Sequence, residues 1–262
     1  MTDSALKLTI DNGLARLVFT QGKRGNPIDG ALCRELNEAS VVLSEHKDVR
    51  AVLITAEGPA FSYGGDIASF LTKLDELPGM IKRWTSDLHM AIARLQRMDA
   101  PLIASVHGVC AGGMAGFIAG CDIVVAAEDS KFVAAYTGIG YCCDAGSSVT
   151  LSRRMGLARA RKFLLLNETL DAGTALAAGL IDEICAIDEY TARANAIATR
   201  LAAGPTKAYG EVRRLLLSAG SQSLETQLEN EAQALARCAG SSDAREGLTA
   251  FAEKRKPVYT GQ

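Results

Sequence analysis

Hydrophobic positions along this chain follow two alternating patterns. Near the N-terminus, LKLTI and ARLVF alternate apolar and polar side chains on either side of DNG (Asp11 to Gly13), the pattern of a β-hairpin with one buried face. A helical period runs from about Gly30 to Ser44, and AVLITA (Ala51 to Ala56) is then a short run apolar but for Thr55, as in strands covered on both faces. The pattern next predicts a helix from about Leu77 to Arg97 that ends ahead of Pro101. Beyond it come a buried strand in PLIASVHG, a helix in GGMAGFIAGCD and another strand in IVVAAED. Strand and helix alternating in this way predict an α/β fold with largely parallel pairing. SVTLSRRMGLARARKFLLL reads as helix. From about Leu170 the pattern changes: ETLDAGTALAAGLIDEI predicts a helix and a short strand, and the chain after Asp188 is mostly helical with a break at Gly204-Pro205.

A chain of 262 residues is long enough for one large domain, and 48% apolar with 22% charged residues is the balance of an ordinary globular protein. The division expected is a core over residues 1–200 and a C-terminal helical region over 201–262 that packs on the core or on a neighbouring subunit. The most apolar window, MAGFIAGCDIVVAA, is interrupted by Asp122, so no membrane span is expected. MTDSALKLTIDNG lacks a basic region followed by an apolar run, which predicts a cytoplasmic protein. Seven cysteines, at positions 33, 110, 121, 142, 143, 185 and 238, form neither a disulfide framework nor a C-x-x-C metal pair, so reduced thiols and no metal are expected. A net charge of −2 and a pI near 6.0 give no electrostatic case for nucleic acid or an anionic membrane, and an anionic ligand must be held by local basic residues.

Candidate chemistry begins with two glycine-rich turns, each after a buried strand: PAFSYGGDI (Pro59 to Ile67) and HGVCAGGMAG (His107 to Gly116), the second opening a helix. Backbone N–H groups at such a turn lack intrahelical acceptors, and glycine lets a ligand approach them closely. If both turns face one cavity, a pair of N–H donors stabilises an enolate or a tetrahedral oxyanion. The competing reading of each Gly-Gly pair alone is a tight turn or close helix packing. Neither is a G-x-G-x-x-G or G-K-[ST] phosphate fingerprint, which disfavours a nucleotide-dependent dehydrogenase or ATPase.

In this order and spacing the two turns resemble the crotonase family, the enoyl-CoA hydratase/isomerase superfamily. AFSYGGDI is similar to its first oxyanion-hole segment and SVHGVCAGGMAGFIAGCDIVVAAEDSKF to its second; the likeness continues through LDAGTALAAGLIDEI and EGLTAFAEKRKPVYTG, over nearly the whole chain. The resemblance implies a spiral core of ββα-like units, a C-terminal helical part and a homotrimer or dimer of trimers. It implies that the N–H groups of Gly65 and Gly113 hold a thioester oxygen, and that Lys23, Tyr63, Asp66 and Ile67 line a bent coenzyme A, which enters as part of the substrate with no other cofactor. Phe251 and Lys254 match positions that reach the coenzyme A of an adjacent subunit.

The family's hydratases use two glutamates. Aligned through AGGMAG the first falls on Gly116, and through SKFVAAYTGIG the second falls on Tyr136, so hydration by that route is not expected. Neither glycine nor a tyrosine with an ordinary pKa of about 10 supplies an acid/base at neutral pH. The small residue at Gly116 suggests room for a bulky acyl group, and Met114, in place of a frequent third glycine, suggests a narrower cleft. The candidate that remains is Asp144, in GYCCDAGSS, eight residues beyond Tyr136. Family members with an aspartate here include dienoyl-CoA isomerases, epoxyphenylacetyl-CoA isomerases and 4-chlorobenzoyl-CoA dehalogenase. The aspartate shuttles a proton in the isomerases and attacks an aromatic ring in the dehalogenase. A carboxylate projecting from a small-residue turn into an apolar pocket is a stronger base than one in water. The local alternative is that Asp144 caps the following helix. His89, twelve residues before Pro101, falls where the dehalogenase carries its histidine, and Trp84 is placed to line the pocket. The expected activity is acyl-CoA isomerisation with Asp144 as proton shuttle. The alternatives are dehalogenation or hydrolysis with Asp144 as nucleophile and His89 as base, and non-catalytic coenzyme A binding.

Overall fold

A computed structural model describes residues 4–262. The hairpin forms as the alternation predicts: β1 (Leu6–Asp11) pairs antiparallel with β2 (Leu14–Phe19), Leu6 opposite Phe19 and Asp11 opposite Leu14. Asn12 and Gly13 take φ of 49° and 80°, the left-handed pair that a two-residue turn matched to strand twist requires. The helix α1 (Gly30–Glu45) starts where the Asp29 carboxylate accepts from the N–H groups of Ala31 and Leu32. Then come β3 (Ala51–Ala56), the short α2 (Ile67–Leu71), α3 (Leu77–Arg97), β4 (Leu102–Val106), β5 (Val109–Ala111) and α4 (Gly113–Ala119). After them lie β6 (Ile123–Ala127), β7 (Lys131–Val133), α5 (Ser147–Met155), α6 (Leu157–Leu165), β8 (Thr169–Asp171), α7 (Ala172–Ala177) and β9 (Glu183–Cys185). The chain finishes with α8 (Tyr190–Ala202), α9 (Thr206–Ser218), α10 (Leu224–Ala239) and α11 (Ser242–Ala252).

The larger sheet has the order β1-β2-β3-β4-β6-β9 and is parallel from β2 onward. Its central strands are apolar but for Thr55 and the buried Ser105, because both faces are covered. Val52, Ile54, Leu102 and Val124 face the main core with α1 and α3, while Leu53, Ile103 and Val125 pack against Ala194, Ala198 and Ala202 of α8. A smaller sheet, β5-β7-β8, stands apart. Its strands are three residues each, too short to carry a period of their own, and β8 is not predicted from sequence. SVTLSRRMGLARARKFLLL is two helices rather than one: Gly156 takes φ 75° and breaks it between α5 and α6. Arg213 of α9, 7% exposed, donates to the carbonyls of Leu95, Met98 and Ala100 and pairs with Asp122 at 2.9 Å, fixing the C-terminal helices to α3 and the sheet.

This topology brings the two glycine-rich turns together. They follow the carboxyl ends of β3 and β4, adjacent parallel strands, where open α/β sheets place ligand crevices.

Candidate active site

Backbone hydrogen bonds zip the two turns into one wall. The Ser62 N–H donates to Val109 O at 2.9 Å and the Ala111 N–H to Ser62 O at 3.0 Å, while the Ile28 N–H donates to Gly64 O at 2.8 Å. Gly64 and Gly112 touch: a Cβ on Gly64 lies 3.7 Å from the Gly112 Cα, and both take positive φ, 86° and 57°, which only glycine adopts freely. This interlock consumes the neighbouring amides. It leaves the N–H groups of Gly65 and Gly113 without an acceptor among the described residues, both at the wall of a cavity of about 840 Å³.

Asp144 lies at the same wall. Its Oδ1 accepts from the Tyr136 hydroxyl at 2.8 Å and lies 3.1 Å from the position a Cβ on Gly113 would take. It does not cap α5: the cap residue is Gly146, and Ser147 N–H donates at 2.9 Å to the Asp144 main-chain carbonyl, not to the carboxylate. Tyr136 is 8% exposed, and its hydroxyl also meets Ser147 Oγ at 3.2 Å. Burial, reinforced by the Asp144 charge, pushes the phenol far above the usual tyrosine range, so it is a fixed donor to Asp144 and not itself a base.

The sequence expectations fall into three groups. Gly65, Gly113, Asp144, Tyr136, Tyr63, Ile67 and Trp84 all line the cavity. Asp66, Met114, Gly116 and His89 do not. The Asp66 carboxylate caps α2 by accepting from Ser69 N–H at 3.2 Å and pairs with Arg24 at 2.8 Å, so it faces away from the cavity. Met114 is 1% exposed in the main core and does not narrow the cleft. Gly116 leaves no room for an acyl group: a Cβ there would stand 2.0 Å from Ser147 Oγ and 3.0 Å from Ser147 Cα, so α5 already fills the space. His89 is exposed, and its Nε2 accepts the Ala145 N–H at 3.2 Å. Through this bond it supports the backbone of the Asp144 turn. Lys23, Phe251 and Lys254 are exposed and lie outside the lining of this chain's own cavity.

Several lining residues were not singled out from sequence. Phe70 stacks at a ring-centroid distance of 5.9 Å from Trp84 and 6.2 Å from Tyr141. Leu77, Ile81 and Leu88 share one face of α3 with Trp84, a stripe at helical spacing whose signal was present in the sequence and looks the same as a core-facing stripe. Asn167 accepts the Tyr136 N–H at 3.1 Å and holds the start of the loop that carries Asp144. Paired amides beside a carboxylate in an apolar chamber suit chemistry that places negative charge on a carbonyl oxygen and moves a proton on a neighbouring carbon.

Comparison with known proteins bears on the family and the fold. The profile of the family described as Enoyl-CoA hydratase/isomerase matches residues 9–262. The chain is similar to 4-chlorobenzoyl coenzyme A dehalogenase-1 of Arthrobacter sp, at 30% identity over 97% of this chain and 92% of that one. It is also similar to 1,2-epoxyphenylacetyl-CoA isomerase of Escherichia coli K12, at 30% identity over 97% of each chain. Its fold matches the crystal structure of an enoyl-CoA hydratase from Polaromonas sp. JS666 with a TM-score of 0.91, at 28% identity over 97% of this chain and 99% of that one.

Proposed function

Because the chain belongs to the enoyl-CoA hydratase/isomerase family, we propose that it is an acyl-CoA isomerase in which Asp144 carries the proton and the amides of Gly65 and Gly113 hold the thioester oxygen. The observation that carries this reading is the 3.1 Å approach of the Asp144 carboxylate to the Cβ position of Gly113, which places the only acid on the cavity wall beside one of the two free amides, among the described residues.

Asp144 takes a proton from an acyl carbon in conjugation with the thioester, and the C–H electron pair delocalises onto the thioester oxygen. The enolate accepts from the Gly65 and Gly113 N–H groups, each such donor contributing about 3 kcal/mol to transition-state stabilisation. Asp144 then returns the proton to a different carbon, the enolate collapses and the double bond or ring has moved, with no water added and no electrons gained or lost. A placed acid/base of this kind contributes about 100- to 10,000-fold in rate. The Tyr136 phenol orients the carboxylate and leaves Oδ2 free for the proton. Against two-carboxylate hydration stand the filled notch at Gly116 and the neutral phenol at Tyr136.

Lys23, on the 3₁₀ turn beside Tyr63, is assigned to the nucleotide end of coenzyme A, and Tyr63 and Ile67, 53% and 43% exposed, to the mouth through which the thioester arm enters. Exposed Leu235, Leu248 and Phe251 on the C-terminal helices support assembly through that surface, with Phe251 and Lys254 serving a neighbouring copy.

The test is a screen of enoyl-, dienoyl-, cyclic and aryl-CoA thioesters with wild type and Asp144→Asn, products being identified by mass and NMR. Isomerised product with solvent deuterium entering the acyl group, absent in Asp144→Asn, is the expected result. An ester trapped on Asp144, or a product heavier by one water, overturns the proposal in favour of the nucleophilic or the hydration reading.

A further inference from the structure

The proposed reaction makes no use of the two residues that precede Asp144. Most of the cysteines are accounted for by packing. Cys33, Cys110 and Cys121 are buried, and burial pushes the thiols of Cys33 and Cys121 up to about 12 and that of Cys110 higher still, which makes them inert. Cys185 and Cys238 are half-buried on β9 and α10, away from the cavity. Cys142 and Cys143 are different. They are adjacent in the chain, Cys142 is exposed and lines the cavity, and Cys143 is half-buried beside it.

The backbone that carries them is lightly held. The N–H groups of Cys142, Cys143 and Asp144 make no backbone hydrogen bond among the described residues, and the segment is bounded by left-handed Gly140 (φ 78°) and Gly146 (φ 79°). A Cβ on Gly140 would meet nothing within 4 Å, so this end has space to move. Asp144 keeps its place through the Tyr136 hydroxyl and through the His89 support of Ala145.

We propose that Cys142 and Cys143 are a reversible oxidation site that gates the activity: joined as a vicinal disulfide by a peroxide, they draw Asp144 off Tyr136 and away from Gly113. The exposed Cys142 thiolate attacks a peroxide oxygen, the O–O bond breaks, and the products are a Cys142 sulfenic acid and hydroxide. The Cys143 sulfur then attacks the Cys142 sulfur, the S–O bond breaks, the Cys143 proton is lost and water leaves; two thiols and one hydrogen peroxide become one disulfide and two waters. Burial and the neighbouring Cys142 raise the Cys143 thiol above its ordinary value, and the backbone N–H groups of Cys143 and Ser148 partly offset this. Exposure suits Cys142 as the thiol that meets the peroxide first, and half-burial beside it suits Cys143 as the resolving one.

Adjacent Cα atoms stand about 3.8 Å apart across a trans peptide, short of the about 4.4–6.8 Å that an unstrained disulfide spans. The ring can close only by reshaping the backbone, and the next residue on that backbone is Asp144. The same strain makes the bond easy to reduce, as a switch requires and a structural disulfide does not. The effect on turnover rests on Asp144 being the proton carrier; the chemistry of the pair does not.

The test treats the whole protein with hydrogen peroxide and maps the cysteines by mass spectrometry before and after an added dithiol. The expected result is loss of two hydrogen masses confined to the peptide holding Cys142 and Cys143. With it, turnover falls about 100-fold, the cost of a misplacement near 1 Å, and the dithiol restores it. In Cys143→Ser no disulfide forms at this turn, Cys142 continues to higher oxides, and the dithiol restores nothing. A crystal structure of the oxidised protein is expected to show Tyr136 and Asp144 beyond hydrogen-bond distance, a readout that needs no turnover. A disulfide from Cys142 to Cys33, oxidation elsewhere in the chain, or a vicinal disulfide that leaves Asp144 on Tyr136 overturns the proposal. A mapped switch that moves Asp144 in a protein that isomerises no thioester overturns the isomerase reading alone.

Discussion

Gly113→Ala tests whether the free amide and the carboxylate share one space. The backbone there is not in the left-handed region, so alanine is tolerated conformationally and the donor N–H is retained. What changes is a methyl that meets Ile28 Cδ1 at 3.0 Å, Asp144 Oδ1 at 3.1 Å and Ala145 Cβ at 3.3 Å. Ile28 offers the end of a flexible side chain and yields. Ala145 is fixed by its own backbone, so the carboxylate takes the remaining displacement, about 0.3 Å to reach ordinary contact. That movement strains the 2.8 Å bond to Tyr136 and crowds the place of the substrate carbon. The expected result is a kcat lower by about 4- to 10-fold with KM little changed, since misplacement by about 1 Å costs two orders of magnitude and the displacement here is about a third of that. Overpacking lowers stability by about 1–2 kcal/mol. Steady-state kinetics on the thioester found by the screen and urea unfolding monitored by circular dichroism measure both. A Gly113→Ala enzyme with wild-type kcat and an unchanged unfolding midpoint would refute the placement of Asp144 beside the amide.

Tyr136→Phe removes a hydrogen bond to an ionised acceptor, worth about 1.5–3 kcal/mol, and leaves Ser147 Oγ without its phenolic partner; kcat is expected to fall about 10- to 100-fold, and a change confined to KM would make Tyr136 only a wall of the acyl pocket. Gly116→Ala forces a Cβ to 2.0 Å from Ser147 Oγ and is expected to cost about 3 kcal/mol in urea unfolding, with Ser147→Gly restoring part of it; a variant as stable as wild type would show that α4 and α5 are not held this closely. Glu211 on α9 is held down to about 2, from an ordinary 4.5, chiefly by its hydrogen bond to Arg237 on α10, with burial opposing the shift and Arg214 adding to it. A depressed folded value means that its contribution is complete above about 4.5 and is lost as pH falls towards about 2. Stability of wild type is therefore expected to drop more steeply over that interval than that of Glu211→Gln, and parallel curves would remove the pair from the account.

Much of this protein was decided by local sequence. The hairpin follows from the alternation in Leu6–Asp11 and the turn at Asn12-Gly13, and the buried strands Ala51–Ala56 and Ile123–Ala127 from runs that are apolar but for Thr55, because backbone conformation and burial on one or both faces are set within a few residues. The family likeness pointed to Gly65, Gly113 and Asp144, all of which line the cavity, because a glycine that must expose its amide and a carboxylate on a small-residue turn each leave a mark in the sequence. What a side chain faces was settled only in three dimensions. Asp66 and Asp144 look alike in sequence, each on a turn just before a helix. Yet Asp66 is taken by Ser69 and Arg24 while Asp144 meets Tyr136, and the difference lies in partners that other elements bring to them. Gly116 read as an open space until α5 placed Ser147 Oγ 2.0 Å from its missing Cβ, and His89, a base in one of the alternative readings, lies outside the cavity lining with its Nε2 accepting the Ala145 N–H. Sequence fixes which groups are available and how the backbone runs near them; packing between distant segments decides which of those groups are left free to react.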